Sequence, residues 1–423
     1  MNRFTLLMSG EYFDELEIWS RSRIEKYQLK RIRRLIEVAK RASNFYKTKF
    51  RDLNPDEVSS LKDFAEVVPL TSKKELISAT SIGGDAVSDD DHIFFTTRGT
   101  TGETLIIPQK DEELEEYVWP AARGLWWAGL RPSMRVVMLS PAWHRLAACE
   151  AGAVGLIGAE AIYFWGSSSE KYVRNFLNTI RESKAQFLSI TTPFLLTIFW
   201  KGQKRALEGV EKCITVGAPI SPMARKRICE ELGVGEIYER GGTQEGAAID
   251  ECRFHEAHHV HEDVCLLEVI RDDGYPAQAG EVGRLAVTRL YQGSIPIIRY
   301  LSGDLAVMFG ETCGCGRELR RIELIDREDN AVVVGWKRIL PYQIRQILDM
   351  DEEFCCRNFL LVKGGYGRLH IIVEGSVDTV RLKRLLEDQL DVEVMVESIG
   401  SIPIRFGYRP VIDRQLLENL QSR

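Results

Sequence analysis

The sequence has 423 residues, of which 44% are hydrophobic and 28% are charged, and its formal net charge is −6. This length exceeds what one hydrophobic core usually supports, so we expect more than one structural unit. The acidic balance excludes a general affinity for nucleic acid. Since no run approaches about 20 apolar residues and the N-terminus lacks a signal-peptide core, we also expect no membrane contact and a cytoplasmic location.

The first 90 residues are predicted to be helical. The stretch "SRSRIEKYQLKRIRRLIEVAKRASNFYKTKF" places apolar residues at helical spacing among many cations, and "NPDEVSSLKDFAEVVPLTSKKEL" adds short capped helices. The stretch "HIFFTTRGTTGETLIIP" follows, and its composition is that of a phosphate-holding loop. Its candidate cofactor-binding residues are Thr97, Gly99, Thr100, Thr101 and Gly102.

Glu103 stands in this loop where an anion-binding loop is expected to carry a cation. The composition alone therefore leaves three alternatives open: a loop that holds a nucleotide, a loop that once did, or a polar hairpin.

From this loop onward, strand-like runs such as "RVVMLSP" and "QFLSITTP" alternate with helix-like runs such as "SEKYVRNFLNTIRESK". This alternation predicts an α/β fold with a mainly parallel, helix-covered sheet. Residues from about 250 to 320 predict a β-rich subdomain, as a smaller sheet or barrel. We predict a domain boundary near Asp329, which gives an N-terminal domain over 1–328 and a mobile C-terminal α+β domain over 329–423.

The order of the motifs resembles that of phenylacetate-coenzyme A ligase and its relatives, a branch of the acyl-adenylating superfamily. The matching segments are "PLTSKKEL", "TTRGTTGE", "TVGAPIS", "GGTQEG", "IRYLSGDLA", "CGCGRELRRI", "DREDN", "GWKRILPYQI" and "RPVIDR". The resemblance covers nearly the whole chain. It implies activation of a carboxylic acid as an acyl-adenylate, rotation of the C-terminal domain, and transfer of the acyl group to coenzyme A.

Three positions match the nucleotide machinery of that family. The resemblance implies that Asp304 holds the ribose hydroxyls, that Arg327 contacts ribose or phosphate, and that Glu245 binds magnesium. Taken singly, each also fits a plainer role: Asp304 as a turn cap, Arg327 and Glu245 as members of surface ion pairs.

Other positions depart from the family pattern on the adenylation side. The substituted positions are Arg98, Glu103, Gly241, Gln244 and Tyr408, the last standing where the family has a lysine. A neutral phenol does not replace that charge near pH 7. Arg405 or Arg409 would need a different backbone path to reach the same place.

Loss of one preorganised charge typically costs ~3 kcal/mol of transition-state stabilisation. Several such losses together suggest a changed reaction, and the resemblance includes degenerate members that transfer an aryl group between thioesters. On that resemblance we predict an aryl-thioester acyltransferase that moves an anthraniloyl- or benzoyl-like group, without ATP, from acyl-CoA to the phosphopantetheine thiol of an acyl carrier protein. Such an activity occurs in polyketide starter-unit loading and antibiotic biosynthesis. The alternatives are an ATP- and Mg²⁺-dependent aryl-CoA ligase and a non-catalytic scaffold that binds acyl-CoA or a carrier protein.

The thiol side of the family pattern is retained, because Gly335 matches the glycine that lines the pantetheine tunnel. An ordinary turn glycine is the alternative. We expect the protein to rest in the thioester-forming orientation, pivoting near Asp329, and a homodimer would be usual for the family.

The acyl pocket is assigned by order of segments. Its candidate residues are Trp143, Thr192, Pro193, Phe194 and Gly242, with Gly217, Ala218 and Pro219 as its floor. Core packing is the alternative for the aromatic rings. His144 is the candidate catalytic base for a thiol, against the alternative of a satisfied structural histidine.

The cysteines indicate a metal site. Nine cysteines do not make a disulfide framework at this length, and "CGCG" is the conspicuous pair. The resemblance implies a structural zinc on Cys252, His259, Cys313 and Cys315, and it selects His259 over His255, His258 and His261. Thiolates plus one imidazole favour tetrahedral Zn²⁺.

Overall fold

The structure is a computed structural model that describes residues 4–80, 93–96, 105–139, 145–164, 170–364, 367–400, 402, 410–413 and 415–417. Among the described residues, no helix combines the length and the apolar character needed to cross a bilayer.

The helical lead begins with a short hairpin that the sequence analysis did not anticipate. Its strands are β1 (Leu6–Ser9) and β2 (Tyr12–Asp14), followed by α1 (Arg21–Ala42), α2 (Asn44–Lys49), α3 (Leu61–Val67) and α4 (Lys73–Thr80). Serine side chains cap two of these helices: Ser43 accepts from Tyr46 N and Ser60 from Asp63 N. The apolar face of α1 is buried, and its many cations face outward.

The phosphate-loop segment is flanked by two paired antiparallel strands, β3 (Ile93–Thr96) and β4 (Ile106–Gln109). The helices that follow are α5 (Asp111–Glu115), α6 (Val118–Trp127), α7 (Arg145–Ile157), α8 (Glu170–Ser183), α9 (Thr192–Trp200) and α10 (Pro222–Leu232). Between them run the parallel strands β5 (Arg135–Met138), β6 (Glu160–Tyr163), β7 (Phe187–Thr191), β8 (Lys212–Val216) and β9 (Glu236–Gly242).

The predicted β-rich segment continues this sheet in antiparallel fashion. Its strands are β10 (Ala248–Glu251), β11 (His258–Val260), β12 (Cys265–Ile270), β13 (Val282–Arg289), β14 (Tyr300–Phe309) and β15 (Arg321–Arg327). The strand order of the sheet is β12-β13-β14-β15-β11-β10-β9-β8-β7-β5-β6. The α/β fold class is confirmed. The expectation of a separate smaller sheet or barrel is corrected, because β10 pairs with β9 and β11 with β15.

The chain after the sheet forms the hairpin β16 (Val332–Val334) and β17 (Lys337–Ile339) and then an α+β unit. That unit contains α11 (Pro341–Asp349), β18 (Phe359–Val362), β19 (Leu369–Glu374), α12 (Thr379–Leu390), β20 (Val394–Ile399) and β21 (Val411–Ile412). Its sheet order is β20-β19-β18-β21. We keep the boundary near Asp329 as a proposal, since the buried side chains beyond it form a core of their own.

A buried charge network ties the N-terminal hairpin to the large sheet. Arg123 on α6 lies 2.8 Å from Asp14 Oδ2 and 3.1 Å from Asp263 Oδ1, and all three side chains are fully buried. His261 Nδ1 lies 2.9 Å from the same guanidinium. Breaking such a network by removing one partner typically costs about 3–5 kcal/mol, so these groups fix the lead against the sheet.

Candidate active site

The predicted pocket residues lie along one edge of the parallel half of the sheet. Thr192 follows β7, Gly217 and Ala218 follow β8, and Gly242 ends β9, so the carboxyl ends of three neighbouring strands meet here. The Thr192 hydroxyl donates to the Ala218 carbonyl at 2.9 Å. In open α/β sheets the crevice beyond the carboxyl ends of the strands is where ligands bind.

Two glycines at this edge have backbone conformations that other residues rarely adopt. Gly217 has φ +110° and Gly242 has φ +155°. A Cβ on Gly242 would lie 2.4 Å from the Ala247 carbonyl oxygen, so only glycine fits the turn that leads to Glu245.

Pro193 and Phe194 serve the core of the described structure. Pro193 stands in the first turn of α9, where its missing N–H costs nothing. The Phe194 ring packs edge-on against Phe176, with ring centroids 5.0 Å apart, inside a buried apolar cluster. Core packing is therefore the role that these contacts support for Phe194. Pro219 lies in the same β8–α10 turn as Ala218.

Asp304 and Arg327 face each other across β14 and β15. They are register partners, and Arg327 Nη1 lies 3.2 Å from Asp304 Oδ1. Arg327 also reaches Asp329 Oδ1 at 3.2 Å. Gly303 has φ +82°, and a Cβ there would lie 2.7 Å from Arg327 Nη2. A side chain at position 303 would therefore collide with the Arg327 guanidinium.

Glu245 completes this polar cluster from the loop after β9. Its carboxyl is buried, and its pKa is raised by that burial and by the charge of Asp304. Two side chains hydrogen-bond to the backbone of this loop: Arg289 Nε donates to the Glu245 carbonyl at 3.2 Å, and the Tyr117 hydroxyl donates to the Gly246 carbonyl at 2.9 Å. The structure thus brings Glu245, Asp304 and Arg327 together. They are partly buried neighbours rather than separate surface ion pairs.

Several predicted site residues lie outside the described residues. They are the phosphate-loop candidates Thr97, Gly99, Thr100, Thr101 and Gly102, with Arg98 and Glu103; the pocket candidates Trp143 and His144; and Arg405, Tyr408 and Arg409 in the C-terminal segment.

Gly335 lies at the tip of the β16–β17 hairpin. It has φ +61°, and a Cβ there would meet nothing within 4 Å. The neighbouring Trp336 side chain is 86% exposed. In this arrangement of the domains, the predicted tunnel glycine is therefore held out in solvent.

The predicted zinc ligands converge. One ligand atom from each of Cys252, His259, Cys313 and Cys315 lies within 4.8 Å of the others, and all four residues are buried. Cys252 Sγ lies 3.6 Å from Cys313 Sγ, and Cys315 Sγ lies 3.3 Å from His259 Nε2. A zinc–sulfur bond of about 2.3 Å makes the edge of a tetrahedron about 3.8 Å, so this spacing fits a tetrahedral ion.

The surroundings of the cysteine–histidine cluster also fit a metal. His259 Nδ1 lies 3.3 Å from the Leu319 carbonyl, which assigns the proton to Nδ1 and leaves the Nε2 lone pair facing the sulfurs. The "CGCG" glycines are explained by packing: a Cβ on Gly314 would lie 2.8 Å from the Phe254 ring, and Gly316 has φ +79°.

The sequence analysis did not predict an acidic network that lies on strands β9 to β11 of the large sheet. Glu239, Glu251 and His258 bring ligand atoms within 4.8 Å of one another, and Arg225 Nη1 lies 2.7 Å from Glu251 Oε2. Burial raises the pKa of Glu239 to about 8, and the Glu251 carboxylate adds to this effect. The charged residues Glu236, Glu239 and Arg240 of β9 offered only a weak signal, because charged residues on strands are usually solvated.

Comparison with known proteins agrees with this geometry. No protein-family model matches the chain. A phenylacetate-coenzyme A ligase of Thermus thermophilus is 27% identical over 416 residues, which cover 94% of this chain and 89% of that protein. The phenylacetate-coenzyme A ligase of Escherichia coli is 23% identical over 94% of this chain and 96% of its own length. The predicted resemblance to phenylacetate-coenzyme A ligases is confirmed over nearly the whole chain by these matches.

Solved structures of one acyl-CoA ligase in two states match this chain to different degrees. A 2-hydroxyisobutyryl-CoA ligase in the postadenylation state, bound to an acyl-AMP, matches with a TM-score of 0.85 at 20% identity over 100% of this chain and 97% of its own. The same enzyme in the thioesterification state, with acyl-AMP and CoA, matches with a TM-score of 0.67 at 20% identity over 98% of this chain and 96% of its own. The overall shape of this chain is therefore more similar to the first of these two structures than to the second.

The expected thioester-forming orientation stays a prediction, because the segment around Tyr408 that would test it lies outside the described residues. The C-terminal unit docks on the large domain through contacts of its own: Tyr342 N donates to Asp326 Oδ2 at 3.0 Å, and Arg227 Nη1 on α10 donates to the Glu352 carbonyl at 2.7 Å. These contacts fix the orientation of the C-terminal unit in this structure. The prediction rested on the lysine that Tyr408 replaces and on the retained tunnel glycine Gly335.

Proposed function

We propose that this protein is an ATP-dependent acid–coenzyme A ligase that activates an aromatic carboxylic acid as its acyl-adenylate and then forms the CoA thioester. The observation that carries this proposal is the assembled cluster of Glu245, Asp304 and Arg327, in a chain whose domains are arranged as in a postadenylation-state relative. The ligase alternative of the sequence analysis is thus preferred to the ATP-free transferase.

Each member of the cluster has a role that follows from its chemistry. Asp304 presents a carboxylate at the strand edge, and a carboxylate accepts hydrogen bonds from two ribose hydroxyls. Arg327 is paired with Asp304 and Asp329 and is still one-third exposed, so part of its guanidinium is free to approach a phosphate oxygen. The reaction gains because a charge held in place stabilises a transition state at no cost of reorganisation.

Glu245 is the residue that would hold Mg²⁺. Its buried carboxyl has a raised pKa beside Asp304, and an added cation at this position would favour the ionised form of both groups. A bound Mg²⁺ supplies charge neutralisation for the phosphate oxygens.

The acid is expected to lie at the sheet edge formed by Thr192, Gly217, Ala218 and Gly242. The Thr192–Ala218 hydrogen bond fixes this edge, and the glycines let a ligand approach the backbone closely. The curated relatives are named for phenylacetate, which is the reason for proposing an arylacetic or benzoic acid.

For the second half-reaction we propose that the C-terminal unit turns, which would bring the exposed hairpin tip at Gly335 to the acyl site. The pantetheine arm of CoA would then run past a residue without a side chain. In the postadenylation arrangement the same hairpin is in solvent, with Trp336 exposed beside it.

We also propose a structural zinc on Cys252, His259, Cys313 and Cys315. The four donors are buried and at tetrahedral spacing. A zinc ion there would join β10 and β11 to the loop between β14 and β15, and it would contribute stability rather than chemistry. His144 as a base, the homodimer, the cytoplasmic location and a role in antibiotic biosynthesis stay predictions.

A second candidate function is the ATP-free transfer of an aryl group from acyl-CoA to a carrier protein. The substitutions at Glu103, Gln244 and Tyr408 favour it, because each removes a group that the family uses on ATP. A transfer between two thioesters needs no activation, only alignment of the thiolate with the carbonyl.

One experiment separates the two functions. Purified protein is assayed for acid-dependent pyrophosphate–ATP exchange with phenylacetate, benzoate and anthranilate, and for aryl transfer from the matching aryl-CoA to a holo-carrier protein without ATP. The ligase predicts exchange with at least one acid. Transfer without exchange would replace it with the transferase, and the absence of both would favour a scaffold.

A further inference from the structure

Asp349 and the adjacent Cys355 and Cys356 form a second buried cluster of ligand atoms, in the C-terminal unit and away from the cysteine–histidine cluster. One ligand atom from each lies within 4.8 Å of the others. The two sulfurs are 3.6 Å apart, and no more than 3% of any of the three residues is exposed. Neither the proposed reaction nor the proposed structural zinc uses these groups.

The Asp349 carboxylate is only half satisfied. Its Oδ1 accepts from Cys356 N at 2.9 Å and from Arg345 Nη1 at 3.3 Å. Its Oδ2 is buried and has no hydrogen-bond partner among the described residues. A buried carboxylate oxygen without a partner is costly, and a cation beside it removes that cost.

The backbone is bent so that both thiols face this carboxylate. After α11 ends at Asp349, the chain turns, and Cys356 adopts φ +64°. A non-glycine residue in the left-handed region costs about 1–2 kcal/mol, so the surrounding structure must hold this conformation in place. Adjacent cysteines in an extended chain would point to opposite sides.

We propose that Asp349, Cys355 and Cys356 form a binding site for a thiophilic divalent cation of the Zn²⁺ type. Two thiolates at 3.6 Å match the tetrahedral edge of about 3.8 Å given by zinc–sulfur bonds of about 2.3 Å, and a carboxylate oxygen supplies the third ligand. Water takes the fourth position. Each thiol gives up its proton when its sulfur binds, so one ion displaces two protons and no oxidant or reductant is needed.

The site adjoins the contact between the two domains. Cys356 Sγ lies 3.9 Å from the Ala224 carbonyl on α10, and Arg227 Nη1 on the same helix lies 3.4 Å from the Cys355 carbonyl. A bound ion would fix the loop over 349–356 in the form that docks on α10. It would therefore slow departure from the postadenylation arrangement, a consequence that rests on the proposed function.

The test measures zinc content and proton release on the full chain. Purified protein is loaded with Zn²⁺, freed of excess ion, and compared with Asp349→Asn and with the double variant Cys355→Ser/Cys356→Ser. The control is Cys229→Ser, a half-buried thiol on α10 outside the cluster. We expect about two zinc equivalents in the wild type and the control, and about one in both cluster variants, with about two fewer protons released on loading.

The outcomes are decisive whichever variant folds. Asp349→Asn keeps the side-chain volume, and thermal melting in chelator shows whether it folds as the wild type does. Equal zinc content in the wild type and in a folded cluster variant would overturn the site. A second pair of results would also overturn the site. In that case a chelator would remove all zinc from the wild type in a single phase, and Cys313→Ser/Cys315→Ser would abolish all zinc binding.

The consequence for turnover is measured separately. In a protein that catalyses exchange, Zn²⁺ is expected to slow CoA-thioester formation several-fold more than pyrophosphate–ATP exchange, and Asp349→Asn is expected to remove this difference. Without exchange activity the proposed function fails, while zinc content still decides the site. Equal inhibition of both half-reactions would overturn the domain-fixing role.

Discussion

Two polar clusters, one that includes the loop before β15 and one that includes Arg327 at the end of β15, differ in how far they are closed to solvent. In the cysteine–histidine cluster the four donors face one another, and Cys313 and Cys315 are buried. In the carboxylate–arginine cluster of Glu245, Asp304 and Arg327, the side chains of Arg327 and Asp304 are 34% and 17% exposed.

This difference indicates different uses. A closed set of donors offers its lone pairs to one small ion and has no room for turnover, so its binding energy becomes stability. In a cluster with exposed side chains, part of the charge stays accessible to a ligand that binds and dissociates. The interaction energy then contributes to ligand binding and to stabilisation of the transition state. Four changes test this contrast.

The largest effect is expected from opening the closed cluster. Cys315→Ser should abolish zinc binding there and lower the free energy of unfolding by about 4 kcal/mol, the mass-action stabilisation when zinc exceeds its dissociation constant ~1,000-fold. Urea unfolding with and without chelator measures this. Wild-type protein in chelator should match the variant, and a stability that ignores both changes would contradict the structural role.

Removing a charge from the carboxylate–arginine cluster should reduce activity strongly and stability only slightly. Asp304→Asn is expected to lower kcat/KM for adenylate formation by about 10²-fold, or ~3 kcal/mol, with a much smaller change in unfolding. The control is Asp273→Asn, an exposed aspartate in a turn. An Asp304 variant that unfolds easily but retains exchange would reverse the assignment of the two clusters.

The acidic network of Glu239, Glu251 and His258, on strands β9 to β11, predicts a pH dependence of stability. Burial raises the pKa of Glu239 to about 8, above its ordinary value of 4.5, and the groups that face it are Glu251, Arg225, His258 and Glu323. Between about pH 4.5 and 8 the unfolded chain has already lost this proton while the folded chain keeps it. This term therefore lowers stability as pH rises.

Glu239→Gln should remove that term. Relative to wild type, the variant is expected to gain about 1–2 kcal/mol between pH 5 and 8, less than the full shift because Arg225 and Glu251 adjust. Urea unfolding at the two pH values measures the gain. A parallel pH dependence in both proteins would mean that Glu239 is ionised in the folded state.

The smallest effect is expected at Gly303, beneath Arg327. Gly303→Ala adds a Cβ at φ +82° that would lie 2.7 Å from Arg327 Nη2, whereas Gly274→Ala adds one at φ +88° in open space. Both should lose about 1 kcal/mol of stability to backbone strain. Only Gly303→Ala should also lower adenylate formation, by about tenfold. Equal activities would show that the guanidinium moves aside freely.

Much of both clusters was available in the sequence. The order of motifs indicated the resemblance to acyl-adenylating ligases, selected His259 among four neighbouring histidines, and predicted nucleotide-side roles for Asp304, Arg327 and Glu245. Glycines at turns and cysteines two apart are local chemical requirements, so they are written in short segments. The alternation of strands and helices is equally local, since hydrophobic periodicity reports which face of each element is buried.

Other features depended on contacts between residues far apart in the chain. The β-rich segment is part of the large sheet because β10 pairs with β9 and β11 pairs with β15. The sequence of a short segment does not show which distant strand it will pair with. The buried network of Arg123, Asp14 and Asp263 was missed for the same reason. Phe194 was a pocket candidate by order of segments, yet the Phe176 ring packs against it.

By itself, the sequence determined the fold class, the resemblance to acyl-adenylating ligases and the chemical types of both clusters, because these depend on residue identity and short-range spacing. Only the tertiary structure decided the orientation of the C-terminal unit and the meeting of Asp349 with Cys355 and Cys356. Orientation is set by a few hydrogen bonds across an interface, such as Tyr342 to Asp326, and differs by small free energies between states of one chain. No motif encodes such a balance, because it is a sum over contacts that exist only once the two domains have met.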